Sequence, residues 1–255
     1  MLSAVPLLIL LIGGPTAPDA DIKEIEATSK VPLIFERDGD IDVETWGGDY
    51  TIPVVKPLGP HEIDRARRLL AKATAKYPAG FLKKRLKRIY VCASLSVDGF
   101  EYGATYDDRT LYIVDGGISE GFDDRFLEQS FHHELSSVLM HENESIFPED
   151  AWVATNPKTF VYKGYDAVYN DKKSEIDWEE QRPAWLRMGF VKRYSLTSVE
   201  EDLNTVAESM FAGGTGFWKQ ADQNPRLLKK TRVAISFYKL LNPWFTESRF
   251  RSFKG

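Results

Sequence analysis

Apolar residues recur every three to four positions along four stretches of the chain. This spacing predicts helices over 61–77, from Asp123 or Asp124 to about Met140, over 200–212 and over 225–241. Glycine or proline residues border the first, third and fourth stretches, which is typical of helix ends. These four helices form the predicted framework of the molecule.

Shorter runs rich in β-branched and aromatic residues predict strands. The runs lie at 32–35, 50–55, 87–95, 100–105 and 110–114. One helix, then strands, then further helices is the order of an α+β fold, whereas alternating βα units would predict a parallel α/β sheet. We therefore expect an α+β domain with a small mixed sheet and C-terminal helices.

Residues 142–192 show no clear period and are rich in tryptophan and tyrosine. In a peptidase such a stretch would cover the cleft, and in a binding protein it would form the contact surface. An aromatic-packed loop without any ligand is the third interpretation.

The first fourteen residues are apolar and carry no charged side chain. They are too short to cross a bilayer, which takes about 20 residues, so no stable membrane span is expected. We interpret residues 1–20 as a signal peptide, 21–31 as a linker and 32–255 as one domain. The expected location is secreted or periplasmic. A buried N-terminal strand or helix is the alternative.

Composition narrows the classes of function. The chain is 43% hydrophobic and 28% charged, as in ordinary globular proteins, and its net charge of −5 gives no indication of nucleic-acid binding. The basic cluster at 83–88 is expected to be solvated. Cys92 is the single cysteine, so no intrachain disulfide can form, and its apolar neighbours predict a packed thiol rather than a nucleophile.

The candidate chemistry lies in the helix that contains His133-Glu134. Zinc peptidases carry His-Glu-x-x-His on such a helix, because two histidines four residues apart can share one metal. Here Ser137 occupies the second histidine position. His141 would lie about 12 Å along the helix from His133, and His132 points about 100° away, so neither replaces the ligand. Ser137 could instead hold a water that completes a weaker site.

A second segment supports the comparison with zinc peptidases. Tyr194 precedes Glu201 by seven residues, ahead of the predicted helix 200–212. This arrangement resembles the third-ligand helix of gluzincin zinc-binding metallopeptidases, in the branch that includes the catalytic domain of anthrax lethal factor. The resemblance covers roughly residues 60–245. It departs from the family at Ser137 and at Thr205, where the family has a second glutamate.

The resemblance implies a zincin-like domain with a zinc cofactor and a peptide or protein substrate. By position, His133 and Glu201 would be zinc ligands, Glu134 the general base and Tyr194 the oxyanion donor, with Ser137 in place of the missing ligand. The strand 110–114 would be the edge that pairs with substrate. We expect Glu200 and Glu208 to be surface or capping charges. Asp202 could orient a ligand or suit the helix N-terminus.

Two functions remain open at this point. The first is a metallopeptidase with an atypical or weakened metal site. The second is a catalytically inactive homologue that binds peptides or a protein partner through the same cleft. Ser137 favours the second, and the joint presence of Glu134 and Tyr194 favours the first.

Overall fold

The computed structural model describes residues 29, 31–35, 54–97, 100–164, 177 and 179–254. In these ranges the strands are β1 (Leu33–Ile34), β2 (Val54–Lys56), β3 (Arg88–Cys92), β4 (Ser94–Val97), β5 (Phe100–Tyr102), β6 (Ala104–Asp107) and β7 (Thr110–Val114). The helices are α1 (Pro60–Thr74), α2 (Phe81–Arg85), α3 (Asp124–Glu142), α4 (Glu149–Val153), α5 (Pro183–Met188), α6 (Val199–Ala212), α7 (Gly214–Gln223), α8 (Pro225–Leu241) and α9 (Glu247–Ser252). The α+β prediction is confirmed, and each of the four predicted helices is present.

A four-stranded mixed sheet has the order β1-β3-β7-β6. β3 is parallel to β1 and β7, and β6 pairs antiparallel with β7. The expectation that 110–114 forms the sheet edge was therefore wrong, because β7 lies between two strands. All five residues of β7 are buried, as an inner strand requires, while β6 is half-buried throughout and forms the edge.

Two predicted strands are each divided into two. The run 87–95 changes sheets after Ala93, so that β4 pairs with β2 and β5 in a separate antiparallel sheet. Gly103 separates β5 from β6. A Cβ at this glycine would lie 2.9 Å from Cζ of Phe126, so the close approach of α3 accounts for the absence of a side chain there.

Helix α3 is the central element of the core. It packs against α6, α1 and the strands β6 and β7. Its buried residues surround the helix rather than form one stripe, which is the pattern of a helix covered on all sides. Asp123 begins it, since its side chain accepts a hydrogen bond from the backbone N–H of Phe126 at 2.7 Å. The core thus fixes α3 and α6 side by side.

The remaining predictions on organisation concern the chain start and the single thiol. The predicted signal peptide lies outside the described residues, while Val31, at the end of the predicted linker, is packed in the core. Cys92 is fully buried, and burial raises the pKa of its thiol to about 12, so the thiol is inert at neutral pH. Among the residues with assigned positions, no helix combines the length and apolar character needed to cross a membrane.

Candidate functional site

His133 lies where α3 faces α6, and carboxylates contact both nitrogens of its ring. Its Nε2 is 2.8 Å from Oε2 of Glu201, and its Nδ1 is 2.9 Å from Oε2 of Glu208. All three residues are buried, with exposed fractions of 8%, 6% and 2%. The imidazole is therefore held between two carboxylates of one helix.

The placement of Glu208 corrects an expectation, since this residue is neither a surface nor a capping charge. Seven residues after Glu201 is close to two full helical turns, so both side chains project from the same face of α6. They cannot meet at one ion, but they can contact the two opposite nitrogens of a single imidazole. The seven-residue spacing is therefore a sequence signal for two carboxylates on opposite sides of one imidazole, although it excludes both as ligands of one metal.

Lys192 is a site residue that the sequence did not reveal. It is 4% exposed, and its Nζ lies 2.6 Å from both Oε1 of Glu208 and Oε1 of Glu179. A chain of ion pairs thus leads from His133 through Glu208 and Lys192 to the half-exposed carboxylate of Glu179. Lys192 precedes α6 in an irregular segment without periodicity, so no pattern could have indicated its position.

Tyr194 and Glu201 are in direct contact. The Tyr194 hydroxyl donates a hydrogen bond to Oε1 of Glu201 at 2.9 Å. Its ring stacks on the imidazole of His133, with ring centroids 5.7 Å apart and planes 15° apart. The structure therefore brings His133, Tyr194 and Glu201 into one cluster.

Ser137 lies one helical turn after His133 and is 2% exposed. Its Oγ accepts a hydrogen bond from Nδ2 of Asn204 at 2.7 Å. The other amide atom, Oδ1 of Asn204, is buried and has no hydrogen-bond partner among the described residues. Position 137, where the His-Glu-x-x-His motif has its second histidine, is thus a serine that links α3 to α6 through Asn204.

Charge and burial act strongly on the titratable groups of the cluster. Burial lowers the pKa of His133, but the hydrogen bonds to Glu201 and Glu208 and the charge of Glu201 outweigh burial and hold that pKa well above its ordinary value. Burial raises the pKa of Glu208, and Lys192 and His133 reverse the effect and lower it. The imidazolium and the Glu208 carboxylate therefore form an ion pair at neutral pH.

Glu134 differs from its neighbours. Burial raises the pKa of its carboxyl to about 8, and the charges of Glu201, Glu200 and Glu208 add to the rise, with His133 opposing it. With the charges present in this chain, Glu134 is therefore mostly protonated at neutral pH.

The two other histidines of α3 lie outside the cluster, as predicted. His132 Nδ1 is 2.8 Å from the hydroxyl of Tyr77, and its ring stacks on Phe211 at 4.5 Å. His141 contacts carboxylates of Glu144 and Glu200, each at 3.2 Å. Glu200 is therefore partly buried and contacts His141 rather than being free on the surface.

Asp202 has a structural role that neither expectation described. It is fully buried, and its Oδ2 accepts from Lys230 at 2.6 Å, from Tyr162 at 2.7 Å and from Trp152 at 3.1 Å. Nζ of Lys230 also lies 3.9 Å from the ring centroid of Phe190. Three aromatic residues of the stretch 142–192 thus contact this buried ion pair. Other aromatic residues of that stretch lie outside the described residues (Tyr165, Tyr169 and Trp178).

His132 gives a pH prediction. Burial lowers the pKa of His132 well below the ordinary value. His132 therefore binds a proton near pH 6.5 in the unfolded chain but stays neutral at that pH in the folded chain. Stability should fall as pH drops below about 6.5, by up to about 1.4 kcal/mol per pH unit. Urea unfolding at pH 7.5 and pH 5 should show this loss in the parent and a shallower one in His132→Gln, and equal losses would contradict it.

The described residues around His133 do not make up a zinc ligand set. A protein zinc site uses at least three side chains drawn from histidine, cysteine and carboxylates. His133 Nε2 and Glu201 supply two, and position 137 supplies a neutral hydroxyl that already accepts from Asn204. In the part of the chain with assigned positions, no group of three or more such side chains could hold a metal ion.

Comparisons with known proteins add one finding on the fold. No family model matches the chain, and no curated protein matches it. The fold is similar to a crystal structure described as "a putative zinc-binding metallo-peptidase" from Bacteroides caccae, with a TM-score of 0.53 and 12% identity, over 94% of this chain and 92% of that one. At this identity the similarity shows the fold alone. The class defined here is an α+β chain that shares its fold with a protein of that description.

Proposed function

We propose that this chain is a catalytically silent relative of the metallopeptidases that binds an extended peptide or a segment of a protein partner. The observation that carries the proposal is the contact between Ser137 and Asn204, which occupies the place of a metal ligand. Ion pairs among its own side chains hold the cluster around His133, so the arrangement of these side chains does not require a metal.

The proposed contact surface is the outer edge of β6. The backbone N–H of Val114 donates to the carbonyl of Gly103 across the β6–β7 ladder. In an antiparallel ladder, residues that hydrogen-bond the neighbouring strand alternate with residues whose backbone groups point to the opposite side. Because Gly103 bonds β7, Ala104 and Tyr106 direct their N–H and C=O groups away from β7. Such groups can pair with an extended peptide, which would lie beside α3 because β6 packs against that helix.

Titration of fluorescently labelled extended peptides with the full chain, followed by anisotropy, tests this proposal. Ala104→Pro removes an outward N–H and should weaken binding by about tenfold. Ala104→Val keeps that N–H and is the matched control. Failure of the parent to bind any peptide, or equal binding by both variants, would contradict the proposal.

A metal-dependent peptidase with a weakened site is the second candidate. The convergence of His133, Tyr194 and Glu201, with Glu134 beside them, favours it. The two candidates separate in a mass-spectrometric cleavage assay with added zinc. If the parent protein cleaves no peptide, the non-catalytic peptide-binding function is supported. If the parent cleaves peptides and Glu134→Gln does not, the metal-dependent peptidase replaces it.

We further propose that the protein acts outside the cytoplasm, as a secreted or periplasmic protein. The support is the apolar, uncharged run of residues 1–14. The mass of the mature protein recovered from the host should correspond to a start near residue 21. Recovery of the full chain from the cytoplasm would contradict this.

A further inference from the structure

The carboxylate of Asp202 accepts hydrogen bonds on one of its two oxygens only. Its Oδ2 accepts three, which come from Lys230, Tyr162 and Trp152. Its Oδ1 is also buried and accepts none from the described part of the chain. A buried carboxylate oxygen without a donor costs free energy, because it has lost its hydration without gaining a hydrogen bond. The carboxylate therefore has an acceptor that these three residues do not use.

Asn156 has a second buried acceptor of this kind. The Tyr162 hydroxyl has one hydrogen, which it donates to Asp202 at 2.7 Å, so it accepts from Nδ2 of Asn156 at 3.0 Å. This order of donors fixes the orientation of the Asn156 amide. The remaining amide atom, Oδ1 of Asn156, is buried and has no hydrogen-bond partner among the described residues. Two acceptors that lack donors thus belong to side chains that meet at one hydroxyl.

The ammonium of Lys230 has donors to spare at the same place. An ammonium carries three N–H donors. One of them bonds Oδ2 of Asp202 at 2.6 Å, and Nζ otherwise lies near aromatic rings, 3.9 Å from the ring centroid of Phe190 and 5.4 Å from that of Trp152. Among the side chains with described positions, Asp202 alone accepts a hydrogen bond from it. At least one unused N–H therefore lies beside the two unused acceptors.

We propose that one water molecule is bound here as a permanent part of the fold. It donates its two hydrogens to Oδ1 of Asp202 and Oδ1 of Asn156, and it accepts an N–H of Lys230. About three hydrogen bonds are typical of a buried water. These three residues are 0%, 7% and 0% exposed, so bulk solvent does not replace it. A metal ion could not accept from the ammonium, and an anion could not donate to the two oxygens.

The water joins three parts of the chain that are distant in sequence. Asn156 follows α4, Asp202 lies in the first turn of α6, and Lys230 lies in α8. The residue before Asp202 is Glu201, which contacts His133. The water thus helps to hold the beginning of α6, and with it the cluster around His133, against α8. The site is separate from the peptide-binding edge proposed above.

A high-resolution crystal structure of the full chain tests the proposal. The expected result is one peak of water density within about 3 Å of Oδ1 of Asp202, Oδ1 of Asn156 and Nζ of Lys230. Absence of that peak would overturn the proposal. So would a direct bond to Oδ1 of Asp202 from Lys230 or from a reversed Asn156 amide.

A substitution tests the same site in solution. Asn156→Leu removes one partner of the water at nearly constant side-chain size. The number of long-lived internal waters, counted by NMR relaxation dispersion of the water signal, should fall by about one. An unchanged count in folded Asn156→Leu would overturn the proposal. If this variant does not fold, the crystal structure of the parent decides alone.

Asn143→Leu is the matched control for this count. It makes the same chemical change at a half-buried asparagine, whose Nδ2 donates to the carbonyl of Leu139 at 2.8 Å. The number of long-lived internal waters should stay at the parent value. An equal loss in both variants would show that the missing water does not belong to the Asp202 site, and would overturn the proposal.

Discussion

Replacing Asp202 with alanine is expected to lower the free energy of unfolding by about 3–5 kcal/mol, as the loss of one partner of a buried ion pair does. The ammonium of Lys230 is fully buried and would lose its counter-charge. The Tyr162 hydroxyl and the Trp152 indole N–H would lose their shared acceptor as well. Urea unfolding of parent and variant at pH 7.5 measures the effect.

Two controls separate the ion pair from the general effect of losing a carboxylate. Asp222→Ala removes a carboxylate whose partner, Arg251, is also at the surface, and it should change stability little. The double variant Asp202→Leu with Lys230→Met removes the unpaired ammonium and should recover the part of the loss that the ion pair causes, while Tyr162 and Trp152 still lack their acceptor. A parent-like stability of Asp202→Ala would contradict the role assigned to this pair.

Ser137→His is expected to convert the cluster into a zinc site. Position 137 is one turn after His133 on α3, the spacing at which two histidines share a metal, and Glu201 already lies 2.8 Å from His133 Nε2. The variant should bind about one zinc per chain. Zinc at about 100 times the dissociation constant should stabilise it by about 2.7 kcal/mol. Thermal unfolding with and without zinc measures this gain.

Asn204 is the side chain that an imidazole at position 137 would meet first. The companion variant Ser137→His with Asn204→Ala gives the ring more room and protects the experiment against a steric failure. Adding His133→Ala to Ser137→His should abolish the gain, because one ligand is again missing. If the Ser137→His variants fold but neither bind zinc nor gain stability from it, residues 133, 137 and 201 do not share a site.

The helices were predictable because their patterns are local. The helix predicted over 225–241 is α8, with the same bounds, and the one predicted over 200–212 begins at Val199 after the Ser198 cap. The order of strands was less accessible. A run such as 110–114 is equally apolar in an inner or an edge strand, and only the pairing with β3 and β6 decides which it is.

The site was predictable to the extent that the resemblance to zinc peptidases singled out its residues. Tyr194, Glu201 and His133 lie together, although the chemical roles that the resemblance implies for them stay predictions. Lys192 was not accessible, since its place depends on an irregular segment folding back onto Glu208. The Asn204 contact was inaccessible for a related reason, because it joins two residues that lie 67 positions apart in sequence on different helices.

The central claim is that position 137 leaves the cluster one zinc ligand short, and metal analysis of the parent protein tests it most directly. Parent, Ser137→His and His133→Ala are dialysed against the same zinc buffer, and zinc per chain is measured. The expected result is far less than one zinc in the parent at a concentration that fills Ser137→His. One zinc per parent chain, lost in His133→Ala, would contradict the claim and restore the metallopeptidase interpretation.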